Sequence, residues 1–261
     1  MDLRCVNAVR YVAPLREGGS LPAIVEADDG AMYVVKFRGA GQGPLALVAE
    51  VVAGEIGRSL GLRVPEIVLV AIDPVFGRSE PDSEIRHLLK ASAGLNVGLK
   101  YLPGATTFDP AAGDVAGSEE ASLTVWFDAY VLNVDRTARN ANLMLWEGGL
   151  WAIDHGASLY FHHNWAGAQN KAASRFEMIR QHILLGSADD VSQASKRGHE
   201  RLGADRLKAI VEMVPEAWLG SEADPLTVAQ RRSLYADLLV ERLEQSKLFE
   251  EEIRDARADH V

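Results

Sequence analysis

The chain is almost free of cysteine and has no long apolar segment. Its 261 residues include a single cysteine, Cys5, so no disulfide bond can form within the chain. No stretch approaches the roughly 18 uninterrupted apolar residues that a membrane-spanning helix needs. Residues 1–4 lack the apolar region of a secretory signal peptide. These absences predict a cytoplasmic protein that has no membrane partner.

Positive charge is also scarce. The formal net charge is −10, from 27 Lys and Arg against 37 Asp and Glu, and no run is rich in Lys or Arg. Sequence-independent binding to nucleic acid depends on such cationic runs, because they release counterions from the phosphates. A nucleic-acid partner is therefore not expected. The composition, 48% hydrophobic and 25% charged, is sufficient for a sizeable core in one domain or two lobes.

What the sequence does contain is an Asp and an Asn at an informative spacing. In Asn133-Val-Asp135-Arg-Thr-Ala-Arg-Asn140 the aspartate precedes the asparagine by five residues. Kinase catalytic loops use this spacing, because the Asp accepts the proton of the acceptor hydroxyl and the Asn holds a Mg²⁺ ion. We therefore predict that Asp135 is a catalytic base and that Asn140 is a metal ligand.

A second acidic residue follows a predicted β-hairpin. Two short apolar runs, 141–146 and 150–153, flank Glu147-Gly148-Gly149, and a Gly-Gly pair between such runs is typical of a hairpin turn. This turn would bring Asn140 and Asp154 within about two residues of direct opposition at the open end of the hairpin. Asp154 is therefore predicted to bind the same Mg²⁺ ion.

A cation for the nucleotide phosphates is predicted near residue 36. Tyr33-Val-Val-Lys36-Phe37 is a strand-like run, and the Lys36 ammonium group could bridge two phosphate groups. The predicted helix 45–60 carries Glu50 on a stripe of small residues, where another element can pack closely. We predict an ion pair between Lys36 and Glu50, with the ammonium group directed toward the pocket that Asp154 lines.

Three other expectations concern the helices. Glu55 points about 140° away from Glu50 and is predicted to form a solvated pair with Arg58. Ser118 is predicted to cap a helix that delivers Asp135 to the site. An apolar stripe over residues 234–243 predicts a C-terminal helix that ends, solvated, in Glu250-Glu251-Glu252.

A glycine pair precedes the first of these strand-like runs. Gly18-Gly19-Ser20 could place backbone N–H groups and a hydroxyl group against phosphates. The same residues would also make an ordinary hairpin turn. Both interpretations stay open at this point.

With these motifs in this order, the chain resembles the HipA-like kinase family, itself similar to the phosphatidylinositol 3- and 4-kinase branch of the protein-kinase-like fold. The resemblance covers roughly residues 15–165. Thr137 departs from it, because relatives often place a histidine there. The residues that carry the resemblance are Gly18-Gly19-Ser20, Val35-Lys36-Phe37, Glu50, Asn133-x-Asp135-x₄-Asn140 and Ile153-Asp154-His155-Gly156.

The resemblance implies an α+β, two-lobed protein-kinase-like fold. Residues 1–102 would be a strand-rich, nucleotide-binding N-lobe, and residues 103–261 a mostly helical C-lobe. The implied activity is transfer of the γ-phosphoryl group of ATP, with Mg²⁺, to a hydroxyl group. Tyr101 and Leu102, in the segment that joins the lobes, would hold the adenine. The other implied site residues are Gly18, Gly19, Ser20 and Lys36 at the phosphates, Lys36, Glu50 and Asp135 in catalysis, and Asn140 and Asp154 at the metal.

Alternatives remain for the phosphoryl acceptor and for whether the chain is an active kinase. A Ser or Thr of a protein is favoured by the resemblance, a small-molecule alcohol ranks second, and a lipid head group also presents a hydroxyl. An alternative of another class is a nucleotide-binding pseudokinase that acts through a protein partner. Thr137 and the short glycine loop are the features that favour this alternative, and the acidic C-terminal helix would be the surface that binds the partner.

Overall fold

Strands dominate the first hundred residues of the computed structural model, and helices dominate the rest. The structure describes residues 2–15, 21–78, 80–220 and 226–259. Within these ranges the strands are β1 (Cys5–Pro14), β2 (Ala23–Ala27), β3 (Met32–Lys36), β4 (Ile67–Ile72), β5 (Gly94–Lys100), β6 (Thr106–Thr107), β7 (Leu143–Trp146) and β8 (Gly149–Ala152). The α-helices are α1 (Gly43–Leu60), α2 (Ser83–Ala91), α3 (Ser118–Val131), α4 (Ala168–Ala172), α5 (Val191–Arg201), α6 (Ala204–Glu212), α7 (Glu216–Leu219), α8 (Val228–Glu244) and α9 (Ser246–Ala258).

The first part of the chain forms a closed sheet in the order β1-β2-β3-β5-β4. The sheet closes because β4 pairs in parallel with β1. In β2 every second side chain is buried, which is the pattern of a strand with one face on a core. Strand β3 pairs antiparallel with β5, so that Lys36 lies opposite Val97. The last residue of β3 thus lies at the edge of the sheet core.

Helix α1 packs beside this sheet and carries Glu50 inward. Pro44 lies in its first turn, where a missing N–H has no intrahelical partner to lose. The helix ends at Gly61, whose φ of 89° is readily adopted only by glycine. The helix begins two residues before the predicted range 45–60 and ends where predicted.

Helix α3 is buried on all sides and connects the closed sheet to the helical part. The prediction that Ser118 caps it is wrong, because Ser118 is already helical. Gly117 is the cap, with an extended backbone whose carbonyl accepts the Ala121 N–H at 2.8 Å. At its other end Leu132 adopts a left-handed conformation with φ of 56° and turns the chain into the predicted catalytic loop.

The C-terminal residues form two helices, α8 and α9, separated at Gln245. The expectation of one helix with a solvated acidic end is wrong. Glu250 and Glu252 are only 5% and 4% exposed, because Glu250 accepts a hydrogen bond from Trp126 Nε1 at 3.2 Å and Glu252 pairs with Arg180 at 2.8 Å. The acidic run is therefore a packed part of the fold and offers little free acidic surface.

Hydrophobic residues form two clusters. The smaller one lies inside the closed sheet and includes Val25, Val35 and Val70. The larger one extends from α1, β4 and β5 through α3 to α9, so both parts of the chain contribute to it. Among the described residues, no helix combines the length and the apolar character needed to cross a membrane.

Candidate active site

The site is centred on the Lys36 ammonium group, which lies between two carboxylates. Nζ is 2.5 Å from Glu50 Oε2 and 2.5 Å from Asp154 Oδ1, although Asp154 is 118 residues away in sequence. The Lys36 side chain is 10% exposed and Glu50 is fully buried, whereas the Asp154 side chain is 42% exposed. The predicted Lys36–Glu50 ion pair and the direction of the ammonium group are confirmed.

Glu50 holds a second element as well. Its Oε2 accepts the backbone N–H of His155 at 2.9 Å, so one carboxylate fixes both the lysine and the residue after Asp154. Burial raises the pKa of Glu50 even though Lys36 lowers it, and among the described residues Oε1 has no hydrogen-bond partner. The charge of Glu50 is thus held in place by two donors, the Lys36 ammonium group and the His155 N–H.

The other two groups titrate in the sense that favours an ion pair. Burial lowers the pKa of Lys36, but Glu50 and Asp154 outweigh it and leave that pKa above its ordinary value. Burial also disfavours ionisation of Asp154, yet the adjacent Lys36 outweighs it and lowers the pKa of the carboxyl group. Both groups are therefore charged at neutral pH.

Glu55, the alternative acid on α1, lies away from this centre. Its carboxylate pairs with Arg58 at 3.2 Å, as predicted. The expectation that the pair is solvated is wrong for Glu55, whose side chain is only 13% exposed and whose pKa is raised by burial. The register of α1 is nevertheless the predicted one, because Glu50 and not Glu55 contacts Lys36.

The hairpin of β7 and β8 brings the two predicted metal ligands to one end. Leu143 pairs with Ala152, and beyond the strands the Ile153 N–H donates to the Asn142 carbonyl at 3.0 Å. Asp154 therefore follows directly at the open end, within the predicted two residues of Asn140. The pairing predicted from the Gly-Gly turn is confirmed.

Asp135 is held in this end by two amides. Its Oδ2 accepts hydrogen bonds from Asn140 Nδ2 at 2.7 Å and from Asn142 Nδ2 at 3.3 Å. The backbone N–H of Asp135 donates to Asn133 Oδ1 at 3.1 Å. Asn142 was not singled out in the sequence, although it links Asp135 to the strand pair that ends in Asp154.

The backbone around the site is strained. Five of the seven non-glycine residues with positive φ in the described chain lie within residues 132–159: Leu132 at 56°, Asn142 at 47°, Glu147 at 47°, Asp154 at 53° and Leu159 at 55°. Such conformations persist only where the surrounding structure determines them, and they concentrate at functional sites. The strain supports a functional role for residues 132–159.

A buried network under the catalytic loop escaped the sequence analysis. Asp128 of α3 is fully buried and accepts hydrogen bonds from Asn133 Nδ2 at 2.8 Å, Arg136 Nε at 2.6 Å and His182 Nε2 at 2.8 Å. The available signal was a lone carboxylate within the otherwise apolar run of residues 125–131, because a buried acid needs partners. No local spacing indicates His182.

His155 belongs to the same layer and is not a metal ligand. It is fully buried, its Nδ1 lies 3.3 Å from Arg136 NH2, and its ring packs edge-on against Phe127. Burial lowers its pKa to about 3, so the ring is neutral.

Two segments are predicted to bind the nucleotide. Tyr101 and Leu102 lie directly after β5, where the Tyr101 N–H donates to the Met32 carbonyl at 2.9 Å. This position joins the closed sheet to the helical part, as expected for an adenine-binding segment. The predicted phosphate loop Gly18-Gly19-Ser20 lies outside the described residues.

The residues present fit the chemistry of Mg²⁺ and a nucleotide. Mg²⁺ prefers carboxylate, amide and phosphate oxygens, and Asp154 and Asn140 supply such oxygens at one end of the hairpin. A Cβ atom on Gly156 would lie 3.6 Å from Lys36 Nζ and 3.6 Å from Asp154 Oδ1. The glycine therefore leaves open the space in front of both charged groups, where phosphates could enter.

Comparisons with known proteins agree with this geometry. A family model described as HipA-like kinase matches residues 8–252. The proinflammatory kinase CtkA of Helicobacter pylori has a similar structure, with a TM-score of 0.58 at 16% identity over 98% of this chain and 98% of that chain. The Golgi casein kinase with Mn and ADP bound gives a TM-score of 0.49 at 11% identity, over 100% of this chain and 75% of that chain. No curated protein sequence matches.

Proposed function

The chain belongs to the HipA-like kinase family, and we propose on this premise that it transfers the γ-phosphoryl group of ATP to a hydroxyl group in the presence of Mg²⁺. The observation that carries the proposal is the meeting of Lys36, Glu50 and Asp154 within hydrogen-bond distance across two parts of the chain. Asp135 is joined to the same end of the hairpin through Asn142.

Lys36 and its partners would bind and orient the phosphates. A free lysine is a flexible, strongly hydrated point charge, so fixing it by Glu50 on a packed helix reduces the cost of orienting the phosphates. Asp154 and Asn140 would hold Mg²⁺, which would supply positive charge against the β- and γ-phosphates. Gly18, Gly19 and Ser20 would cover the phosphates, and Tyr101 and Leu102 would hold the adenine.

Asp135 would act on the acceptor. A bond forms between the acceptor oxygen and the γ-phosphorus while the bond from that phosphorus to the bridging oxygen breaks, which releases ADP. The hydroxyl proton passes to the Asp135 carboxylate, whose Oδ2 is fixed by the amides of Asn140 and Asn142. We propose a Ser or Thr of a protein as the acceptor.

The test is transfer from [γ-³²P]ATP with Mg²⁺, measured separately into acid-precipitable protein and into a pool of small alcohols. Asp135→Asn should remove transfer and leave ATP affinity within about tenfold, roughly 1.4 kcal/mol, because the base acts on the acceptor. A larger loss of ATP affinity would reassign Asp135 to the metal.

The wild-type chain decides between the remaining alternatives. Nucleotide binding without any turnover, alone or with added protein, would contradict the proposal and identify a pseudokinase. Label that enters only small alcohols would keep the kinase chemistry and overturn the protein acceptor. Lys36→Met is the background control, because it removes the cation from the proposed phosphate site.

A further inference from the structure

One buried carboxylate, Asp128, lies beneath the catalytic loop and contacts side chains from two separate segments of the chain. Asp128 is fully buried and has three side-chain donors, and two of them, Arg136 and His182, reach its Oδ2. Its third donor, Asn133, reaches Oδ1 at 2.8 Å. Both carboxylate oxygens of Asp128 therefore accept hydrogen bonds. Because Asp128 is buried in the core, it holds each of its donors in a fixed position.

Two of the donors flank Asp135 directly. Asn133 uses its other side-chain atom, Oδ1, to accept the backbone N–H of Asp135 at 3.1 Å. Arg136, the next residue, is 1% exposed and donates to the carbonyl groups of Asn142 and of Ile153, the latter at 3.3 Å. The same guanidinium group thus ties the catalytic loop to the hairpin end that precedes Asp154.

The third donor brings in a distant segment. His182 is 54 residues from Asp128 in sequence. Its backbone pairs with that of Thr137 in the catalytic loop. Beside this pair, the Ile183 N–H donates to the Arg136 carbonyl at 3.2 Å. The Leu184 N–H donates to His182 Nδ1 at 3.0 Å, so Nδ1 is the acceptor and Nε2 carries the proton that Asp128 accepts. The neighbouring backbone therefore fixes the neutral tautomer.

We propose that Asp128 is a positioning residue for phosphoryl transfer, which sets the positions of Asp135 and Asp154 relative to one another. His182 binds the segment 182–184 to Asp128. The inference rests on the proposed function. Asp128, Arg136 and His182 touch no reacting atom, and they act through Asn133, Asn142 and the backbone. Misplacing a reacting group by about 1 Å can cost on the order of 10²-fold in rate. Because His182 is joined to Asp128 and to Thr137 of the catalytic loop, its loss would act on turnover more than on nucleotide affinity.

The direct substitution at Asp128 is a poor test. It would leave Arg136 buried without its counter-charge, which is strongly destabilising and would confound activity with folding. His182 allows a finer test, because two amides imitate different halves of its ring. Glutamine can place an N–H near the position of Nε2 and retain the bond to Asp128. Asparagine can accept the Leu184 N–H but is too short to reach Asp128.

The experiment compares His182→Gln, His182→Asn and the control His199→Asn, whose histidine lies on α5 and contacts Ser246 Oγ at 3.0 Å. For each variant, kcat, the Kd of ATP with Mg²⁺, and hydrogen exchange of peptides that cover residues 133–142 and 182–184 are measured. We expect His182→Asn to lose roughly tenfold or more in kcat with Kd within about twofold. Its catalytic loop should exchange faster, whereas His182→Gln should retain most of the activity and protection.

The outcomes separate the possible failures. Equal effects of His182→Gln and His182→Asn, or an unchanged catalytic loop in both, would overturn the positioning role. A loss of nucleotide affinity in parallel with kcat would also overturn it, because that pattern indicates general damage. If His182→Asn does not fold, Asn133→Ala breaks the link to the Asp135 N–H from the other side and is read by the same criteria. If the wild-type chain transfers no phosphate, the proposed function fails, and exchange alone then decides whether Asp128 orders the loop.

Discussion

At the scale of single residues, Asp154 combines a metal-binding chemistry with an unusual backbone. Its φ of 53° lies in the left-handed region, where Asp and Asn are the best tolerated residues after glycine. Its carboxylate contacts Lys36 and remains 42% exposed, so it is accessible to an incoming ion. The position therefore favours an acid for its charge and an Asx side chain for its backbone.

We expect Asp154→Asn to keep the fold and to lose activity by roughly 10²-fold or more, because it removes the charge but suits the same backbone. Transfer from labelled ATP over a series of Mg²⁺ concentrations measures the loss. The melting temperature serves as the control and should stay near the wild-type value. A variant with near-native turnover would contradict the assignment of Asp154 as a metal ligand.

His162 gives the fold a dependence on pH. It is 2% exposed and its Nδ1 lies 3.0 Å from the Tyr235 hydroxyl group. Burial lowers the pKa of His162 from 6.5 to about 3. The unfolded chain therefore takes up a proton at a pH where the folded chain does not, so the free energy of unfolding falls as the pH drops from 6.5 toward 3.

We expect this single group to lower the free energy of unfolding by about 2 kcal/mol between pH 7 and pH 5. Urea unfolding at both pH values measures the difference. His162→Asn should reduce the pH dependence by that amount. Equal pH dependence in wild type and His162→Asn would show that His162 does not carry the effect.

At the scale of elements, what could be predicted followed local periodicity. The glycine pair between two apolar runs predicted the pairing of β7 and β8, although the turn itself is Glu147-Gly148 and Gly149 already pairs with Trp146. A stripe of small residues at helical spacing placed Glu50 on the inner face of α1. Asp128 had a local signal as a lone acid in an apolar helix, but its partner His182 is 54 residues away. Local patterns reveal that a buried charge needs partners, and they do not reveal which residues supply them.

The wrong predictions have a related cause. Ser118 has the right chemistry for a helix cap, but the backbone bends one residue earlier, at Gly117, and so Ser118 falls inside α3. Glu252 was expected to be solvated because charged residues usually are. It is buried because two arginines from another segment reach it, Arg175 at 3.0 Å and Arg180 at 2.8 Å.

Helix α1 offers a matched pair of acids for testing its role. Glu50→Gln keeps the shape of the side chain and removes the charge that holds Lys36, so we expect kcat to fall by roughly 10–10²-fold. Glu55→Gln, five residues later on another face, should stay within about twofold of wild type, because Glu55 pairs with Arg58 at a site removed from Lys36. The reverse order of the two losses would contradict the register of α1.

At the scale of the whole molecule, the predicted boundary near residue 102 does not divide the core. The larger hydrophobic cluster includes Val97 and Leu99 of β5 together with Trp126 of α3 and Phe249 of α9. Lys36 and Asp154 add an ion pair between the same two parts. The strand-rich part would therefore expose core residues if it separated from the helical part.

We expect one cooperative unfolding transition. All five tryptophans follow residue 102, so tryptophan fluorescence reports mainly the helical part, with Trp218 also bonded to the Leu95 carbonyl of β5 at 3.3 Å. Far-UV circular dichroism reports both parts. In thermal unfolding the two signals should coincide, which is the test of two-state behaviour. Midpoints separated by more than about 5 °C, a shift of the order that 1 kcal/mol produces, would show that the two parts unfold independently.

The left-handed residues between 132 and 159 have a consequence for anyone who engineers this chain. Each such conformation in a non-glycine residue costs on the order of 1–3 kcal/mol, and the rest of the fold supplies that free energy. Selection for heat resistance alone would favour substitutions that relax this stretch, and the same substitutions would displace Asp135 and Asp154. Stabilising changes made in the closed sheet or in α8 and α9 avoid that conflict, so heat resistance and turnover can be improved together only outside the stretch.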